Sequence, residues 1–206
     1  MFIEQPPWLY RLLFPGAQWR GRERRRKVVY LTFDDGPVPE VTPRVLETLA
    51  RYGVRATFFM VGDNVRRNPG LLEQVRAAGH SVGNHTMHHL QGLHVSTRRY
   101  LRDISEAAAL IGSRLFRPPH GIMRRGQLRA LRRRFDIIMY DVVTRDYSSQ
   151  LTPGQVLRNV MRYTRPGSII VFHDSIKAQL RMEAVLPAAI EWLLQQGYSF
   201  ETLPER

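Results

Sequence analysis

Residues 28–37, VVYLTFDDGP, run six strand-forming side chains into two adjacent carboxylates and a Gly-Pro break. The run reads as a strand that Gly36 and Pro37 bring to an end. Successive strand side chains point to opposite faces, so Asp34 and Asp35 can share a site only where the strand breaks into a turn. A carboxylate beside a metal ligand is a natural base for activating water. An aspartate-rich turn is the plain alternative.

The same strand-then-helix pattern repeats outward from this segment. Thr42 is expected to cap a helix with Pro43 in its first turn, burying Val45, Leu46 and Leu49 before Gly53 stops it. Further strands are expected at 56–61, 81–83, in LFRPP (115–119), and at 137–142, 168–172 and 198–203. Helices are expected from Asn68-Pro69, with Leu72, Val75 and Ala78 inward, and over 96–111, with Leu101, Ile104, Ala108 and Ile111 on one face. Others follow over 125–134, from Thr152-Pro153, and over 182–196. About seven strands alternating with about six helices argue for an α/β fold with a mostly parallel sheet, open or closed as an incomplete barrel. No linker divides the chain, so 28–206 reads as one domain behind a basic leading arm, 1–27.

The 206 residues are 43% apolar and 24% charged, which suits a globular chain with a sizeable core and excludes disordered and collagen-like classes. There is no cysteine, so disulfides, zinc-thiolate sites, iron–sulfur clusters and cysteine nucleophiles are excluded. Any metal must be held by histidine and carboxylate. The 31 Lys+Arg against 18 Asp+Glu leave a net charge of +13, nearly all arginine, concentrated at 20–27, 97–102 and 124–134. That is either a solvated basic surface or an attraction for a polyanion such as an anionic cell-wall polymer. The aromatic interleaving of a nucleic-acid platform is missing, so no nucleic acid is expected. No apolar run approaches the ~18 residues of a spanning helix. The opening MFIEQPPWLYRLLFPG lacks the charge order of a cleavable signal peptide. The expected location is cytoplasmic or peripheral at the cell envelope, as a monomer. Trp8, Leu9, Leu12, Leu13 and Phe14, with Arg11, either pack on the domain or rest on a membrane surface.

Other polar groups collect after strands, where α/β folds gather their sites. HSVGNHTMHH, residues 80–89, holds four of the seven histidines. One turn of helix would place His85 and His89 on one side. With a carboxylate they would make a His₂Asp metal site that keeps a position open for water. His80 reads as structural, and His88 is set aside because it cannot face the same way as both. In FRPPHG, Arg117 is out of place in an apolar strand unless it meets a carboxylate. YDVVTRDY offers Asp141 and Asp146, and in IIVFHD the position of His173 suits a proton donor.

In this order and at these spacings, the five segments resemble the polysaccharide deacetylase family with the NodB-homology domain, over residues 28–203. The resemblance implies a distorted (β/α)7 barrel and removal of N-acetyl or O-acetyl groups from peptidoglycan, chitin or xylan. It implies Asp34 as general base and Asp35, His85 and His89 as ligands of one divalent metal. Zn2+ is expected first, with Co2+, Ni2+ or Mn2+ as alternatives. Arg117 would steer the base, His173 would be the general acid oriented by Asp146, and the backbone N–H of His120 would meet the oxyanion. The expected substrate is an acetylated glycan containing N-acetylglucosamine; a small amide or an O-acetyl ester is the alternative within the same chemistry. Four positions depart from the family pattern: His120 stands for tyrosine, Val143 for aspartate, Tyr147 for tryptophan and Leu90 for proline. They bear on groove shape, since none removes a reacting group.

Overall fold

The computed structural model of the chain describes residues 4–204. Its strands are β1 (Val28–Asp34), β2 (Thr57–Met60), β3 (Ser81–Asn84), β4 (Leu115–Phe116), β5 (Asp136–Ile137), β6 (Val142–Val143), β7 (Ile169–His173) and β8 (Ser199–Phe200). They form one curled parallel sheet in the order β5-β4-β3-β2-β1-β7-β6, with β8 added to the start of β1. Every residue of β1 is buried. Val29, Leu31 and Phe33 lie beneath the helices, where Phe33 stacks on Phe58 and Phe172. Val28 and Tyr30 turn the other way, to a cluster with Phe59, Leu115 and Ile138. The two-residue period therefore sends Thr32 and Asp34 to that inner side as well.

Helices α2 (Thr42–Arg51), α3 (Gly62–Arg67), α4 (Pro69–Ala77), α5 (Thr97–Ile111), α6 (Arg125–Leu131), α7 (Pro153–Tyr163) and α8 (Gln179–Gln195) follow the strands; α1 (Trp8–Leu12) precedes them. The expected alternation is present, with local corrections. The single strand expected at 137–142 is two short ones. Ile138 N–H bonds Phe116 O at 2.8 Å, whereas Asp141 N–H bonds Ile169 O at 3.0 Å. One segment thus serves both edges of the curled sheet and must bend between them. Thr42 is not a cap: Val41 takes that position, and the Thr42 hydroxyl donates to buried Asp174 at 2.7 Å. Helix α3 was not expected, because six residues are too few to show a period. Helix α6 ends at Leu131, three residues short of the expected 134; α5 buries Ile104 and Ile111 as expected, with Leu101 and Ala108 partly buried against the core, and adds Tyr100 and Ala107 to the buried face. Ala78 is exposed just past α4. Thr152 caps α7 as expected, accepting from Gln155 N–H.

The leading arm is built into the core. Phe14 and Trp19 are buried with Tyr100, Phe116 and Leu131. Arg11 reaches Asp141, which is fully buried and also takes Arg165 at 2.7 Å and the Ser168 hydroxyl at 2.8 Å. Burial raises the Asp141 pKa, but the donors from Arg165, Arg11 and Ser168 outweigh it and hold the carboxyl below its ordinary value. Its contribution to stability is therefore present above the unfolded carboxylate range and is lost as pH falls through the lowered value. Asp141→Ala should lower the unfolding free energy by about 2–3 kcal/mol, less than for a sealed pair because Arg165 still meets water. Urea unfolding measures this; an unchanged midpoint would show that Arg11 and Arg165 are held without it.

Candidate active site

The polar groups converge at the C-terminal ends of the parallel strands, where side chains from several strands can reach one point. Asp34 ends β1 and His173 ends β7, in register with each other. Asp35 follows with φ 81°, the left-handed region that side-chain-bearing residues rarely adopt. This reversal lets two adjacent carboxylates line the same cavity. Gly36 is required there, since a Cβ would lie 2.0 Å from Asp174 Oδ2. Asp174 accepts Gly36 N–H at 3.1 Å, and Asn64 donates to Asp35 O at 2.8 Å, so the turn is held from two sides. Sequence reasoning missed Asp174; burial pushes its carboxyl up to about 8.

His85 and His89 do meet, though not through a turn of helix. Residues 85–89 form a loop in which Thr86 and His89 have φ 68° and 52°. Asn84 Oδ1 accepts Thr86 N–H, and the Thr86 hydroxyl oxygen accepts Leu90 N–H, fixing that loop. His85 Nε2 lies 3.6 Å and His89 Nε2 3.1 Å from Asp35 Oδ1. One donor atom from each of the three falls within 4.8 Å of the others. His85 Nδ1 is 2.9 Å from Arg117 O, a contact that requires N–H at Nδ1 and leaves the Nε2 lone pair free. Burial, foremost, pushes His85 down to about 4, so the imidazole is neutral at pH 7. Burial alone would raise Asp35, yet the His89 hydrogen bond and the charge of His173 hold it well below the usual carboxylate range. Two imidazoles and one carboxylate are a donor set that fits a divalent cation with a position left open.

Arg117, 1% exposed, meets the carboxylate that its place in the sequence demands. Its Nη1 donates to Asp34 Oδ1 at 2.6 Å and to Thr32 Oγ1 at 2.8 Å, its Nη2 to Met139 O at 3.1 Å. His173 Nδ1 lies 2.7 Å from Asp146 Oδ1, and its backbone N–H donates to Asp146 Oδ2 at 2.8 Å. Burial works against a charge on His173, but buried Asp146 outweighs it, helped by Asp35 and Asp34, and raises the imidazole to about 9. His120 sits in the same cavity with φ 59°, its ring 4.9 Å from that of His89. Asp141 lies elsewhere, among arginines. His88 rests on Asp103 at 2.9 Å, and His80 accepts Ala56 N–H, a structural role. Asp34, Asp35, His85, His89, His120 and His173 line a cavity of about 780 Å³, to which Tyr10, Tyr140, Tyr147 and Lys177 also contribute. No sequence signal pointed to Tyr10, which arrives from the leading arm.

Residues 21–134 match the family model for polysaccharide deacetylase. A peptidoglycan-N-acetylglucosamine deacetylase of Bacillus cereus is 33% identical over 187 residues, covering 87% of this chain and 87% of that protein. A chitooligosaccharide deacetylase of Sinorhizobium fredii is 34% identical over 197 residues, covering 86% and 90%. Among solved structures, a peptidoglycan N-acetylglucosamine deacetylase in complex with a naphthalenyl N-hydroxybenzamide superposes with a TM-score of 0.86 at 30% identity, covering 92% and 91% of the two chains. A pseudoenzyme of carbohydrate esterase family 4 from Bacillus anthracis also superposes, with a TM-score of 0.82 at 28% identity over 96% of this chain and 71% of that one. Shape alone therefore does not carry activity; the reacting groups do.

With its pKa raised from 6.5 to about 9, His173 contributes stability that is full below pH 6.5 and lost as pH rises through about 9. Asp146→Asn should lower the His173 titration midpoint, followed by imidazole NMR, by about one unit or more. An unmoved midpoint would mean that Asp146 does not set this charge.

Proposed function

Because the chain belongs to the polysaccharide deacetylase family, we propose that it is a divalent-metal-dependent hydrolase of the N-acetyl amide on N-acetylglucosamine units of a peptidoglycan- or chitin-like glycan. One observation carries the reading: a base candidate clamped by Arg117 and an acid candidate clamped by Asp146 share one cavity with the Asp35/His85/His89 triad. The relatives named for peptidoglycan and chitooligosaccharides support the substrate class.

A cation bound by Asp35, His85 and His89 would polarise the acetyl carbonyl and lower the pKa of a water. Asp34 receives the proton as that water attacks. Arg117 holds Oδ1 of Asp34, so the carboxylate has one orientation and loses little entropy in the transition state. The backbone N–H of His120 serves the developing oxyanion, and a backbone donor is indifferent to histidine standing for tyrosine. His173, charged through Asp146, gives its proton to the departing amine. An amine leaves only when protonated, so acetate and a glucosamine unit are released together with that transfer.

Elemental analysis should find about one divalent ion per chain and its loss in His85→Ala and His89→Ala. Retention in both would sink the site. Chelation should stop turnover with the far-UV CD spectrum preserved, because the apolar core does not depend on metal. Asp34→Asn should keep the ion and lower kcat by at least about 100-fold. His173→Ala should be severe on an N-acetyl sugar and milder on an activated aryl acetate, whose phenolate needs no proton to leave. Equal losses on the two substrates would move the acid role elsewhere.

A further inference from the structure

Helix α1 is apolar on both sides. Tyr10 and Phe14, four residues apart, face inward onto Trp19, with ring centroids 5.8 and 6.2 Å away. Trp8, Leu9, Leu12 and Leu13 occupy the opposite side, where they are 68%, 60%, 62% and 44% exposed. A helix lying on a soluble domain ordinarily turns polar residues outward. Four large apolar side chains on adjoining turns make a contiguous patch rather than scattered exposure. The helix is also firmly held. The Tyr10 hydroxyl donates to Gly121 O at 2.9 Å, Arg11 is 2.7 Å from buried Asp141, and Phe14 is buried.

Cations gather where the chain leaves this helix, around residues 15–19. Arg11, Arg20, Arg22 and Arg24 line a cavity of about 410 Å³ beside Trp19. Arg20 turns inward there, its buried Nε 3.8 Å from Asp141 Oδ2. Arg132 donates to Pro15 O at 3.1 Å, which places a further guanidinium where the helix ends. We propose that α1, with exposed Arg22, Arg24 and Arg132 beside it, forms a docking surface for an anionic lipid bilayer, with Trp8, Leu9, Leu12 and Leu13 entering the headgroup boundary and those three arginines meeting lipid phosphates. An exposed apolar face flanked by guanidiniums matches the two layers of such an interface. A polyanion in water would leave the apolar face without a partner. A second copy of the chain would bring one arginine cluster against another. The surface adjoins the catalytic cavity, since Tyr10 lines it and its partner Gly121 follows His120.

The test is sedimentation of the full chain with vesicles of phosphatidylcholine alone and with about 30% phosphatidylglycerol, at low and high salt. Binding should need the anionic lipid and weaken roughly tenfold at high salt. Leu9→Glu/Leu12→Glu should weaken it about tenfold or more, with an unchanged thermal midpoint as the folding control. Arg22→Glu/Arg24→Glu should remove the preference for the anionic vesicles. Should the leucine variant fail to fold, the emission of Trp8 in the parent protein still reports: it should shift to the blue on anionic vesicles and vanish from the difference spectrum in Trp8→Phe. Equal binding to both vesicle types, no binding, or parental binding by the leucine variant would overturn the proposal. So would a parent dimer that the leucine variant converts to a monomer.

Discussion

A guanidinium removed from water must be paired, and the way Arg117 is paired organises the catalytic end of the barrel. Leaving such a charge uncompensated costs about 3–5 kcal/mol, so the fold has to bring its partners to it. They come from two places: Asp34 and Thr32 on β1, and Met139 on the segment that crosses between β5 and β6. The planar group also lies 4.0 Å from the centre of the Phe59 ring on β2. One side chain from the end of β4 therefore ties together strands on both sides of the sheet.

Arg117 acts a second time through its main chain. Its carbonyl meets His85 Nδ1, so the same residue orients the proposed base with its side chain and a proposed metal ligand with its backbone. The remaining groups are held in the same manner, each by a partner from another part of the chain. Asp146 grips both His173 Nδ1 and the His173 amide, and Asp174 and Asn64 hold the turn that carries Asp35. Loops of this length are easily deformed, and these buried hydrogen bonds are what give the site a single geometry.

The leading arm belongs to this organisation rather than standing apart from it. Asp141 gathers Arg11 from α1 and Arg165 from the approach to β7, which seats the helix against the barrel. Once seated, α1 delivers Tyr10 to the cavity rim and leaves its apolar outer face to solvent. A buried ion pair, a cavity wall and an exposed patch thus follow from a few residues of one short helix.

The sequence by itself determined the alternating parallel architecture, because apolar runs and helical periods are local signals that survive without a structure. It also determined which chemical groups sit at the ends of which strands: Asp34 and Asp35 at the first, His85 and His89 past the third, Arg117, His173 and Asp146 at or past later ones. Only the tertiary structure decided how they meet. His85 and His89 converge through left-handed loop residues rather than a helical turn, and the strand expected at 137–142 divides because it must serve two sheet edges. Asp141 and Asp146 look alike in sequence, yet one lies among arginines and the other beneath a histidine. Thr42 abandons its expected cap for Asp174, 132 residues away. Each outcome turns on a partner far along the chain, and a local pattern carries no record of which distant groups the packed fold will bring within hydrogen-bonding distance.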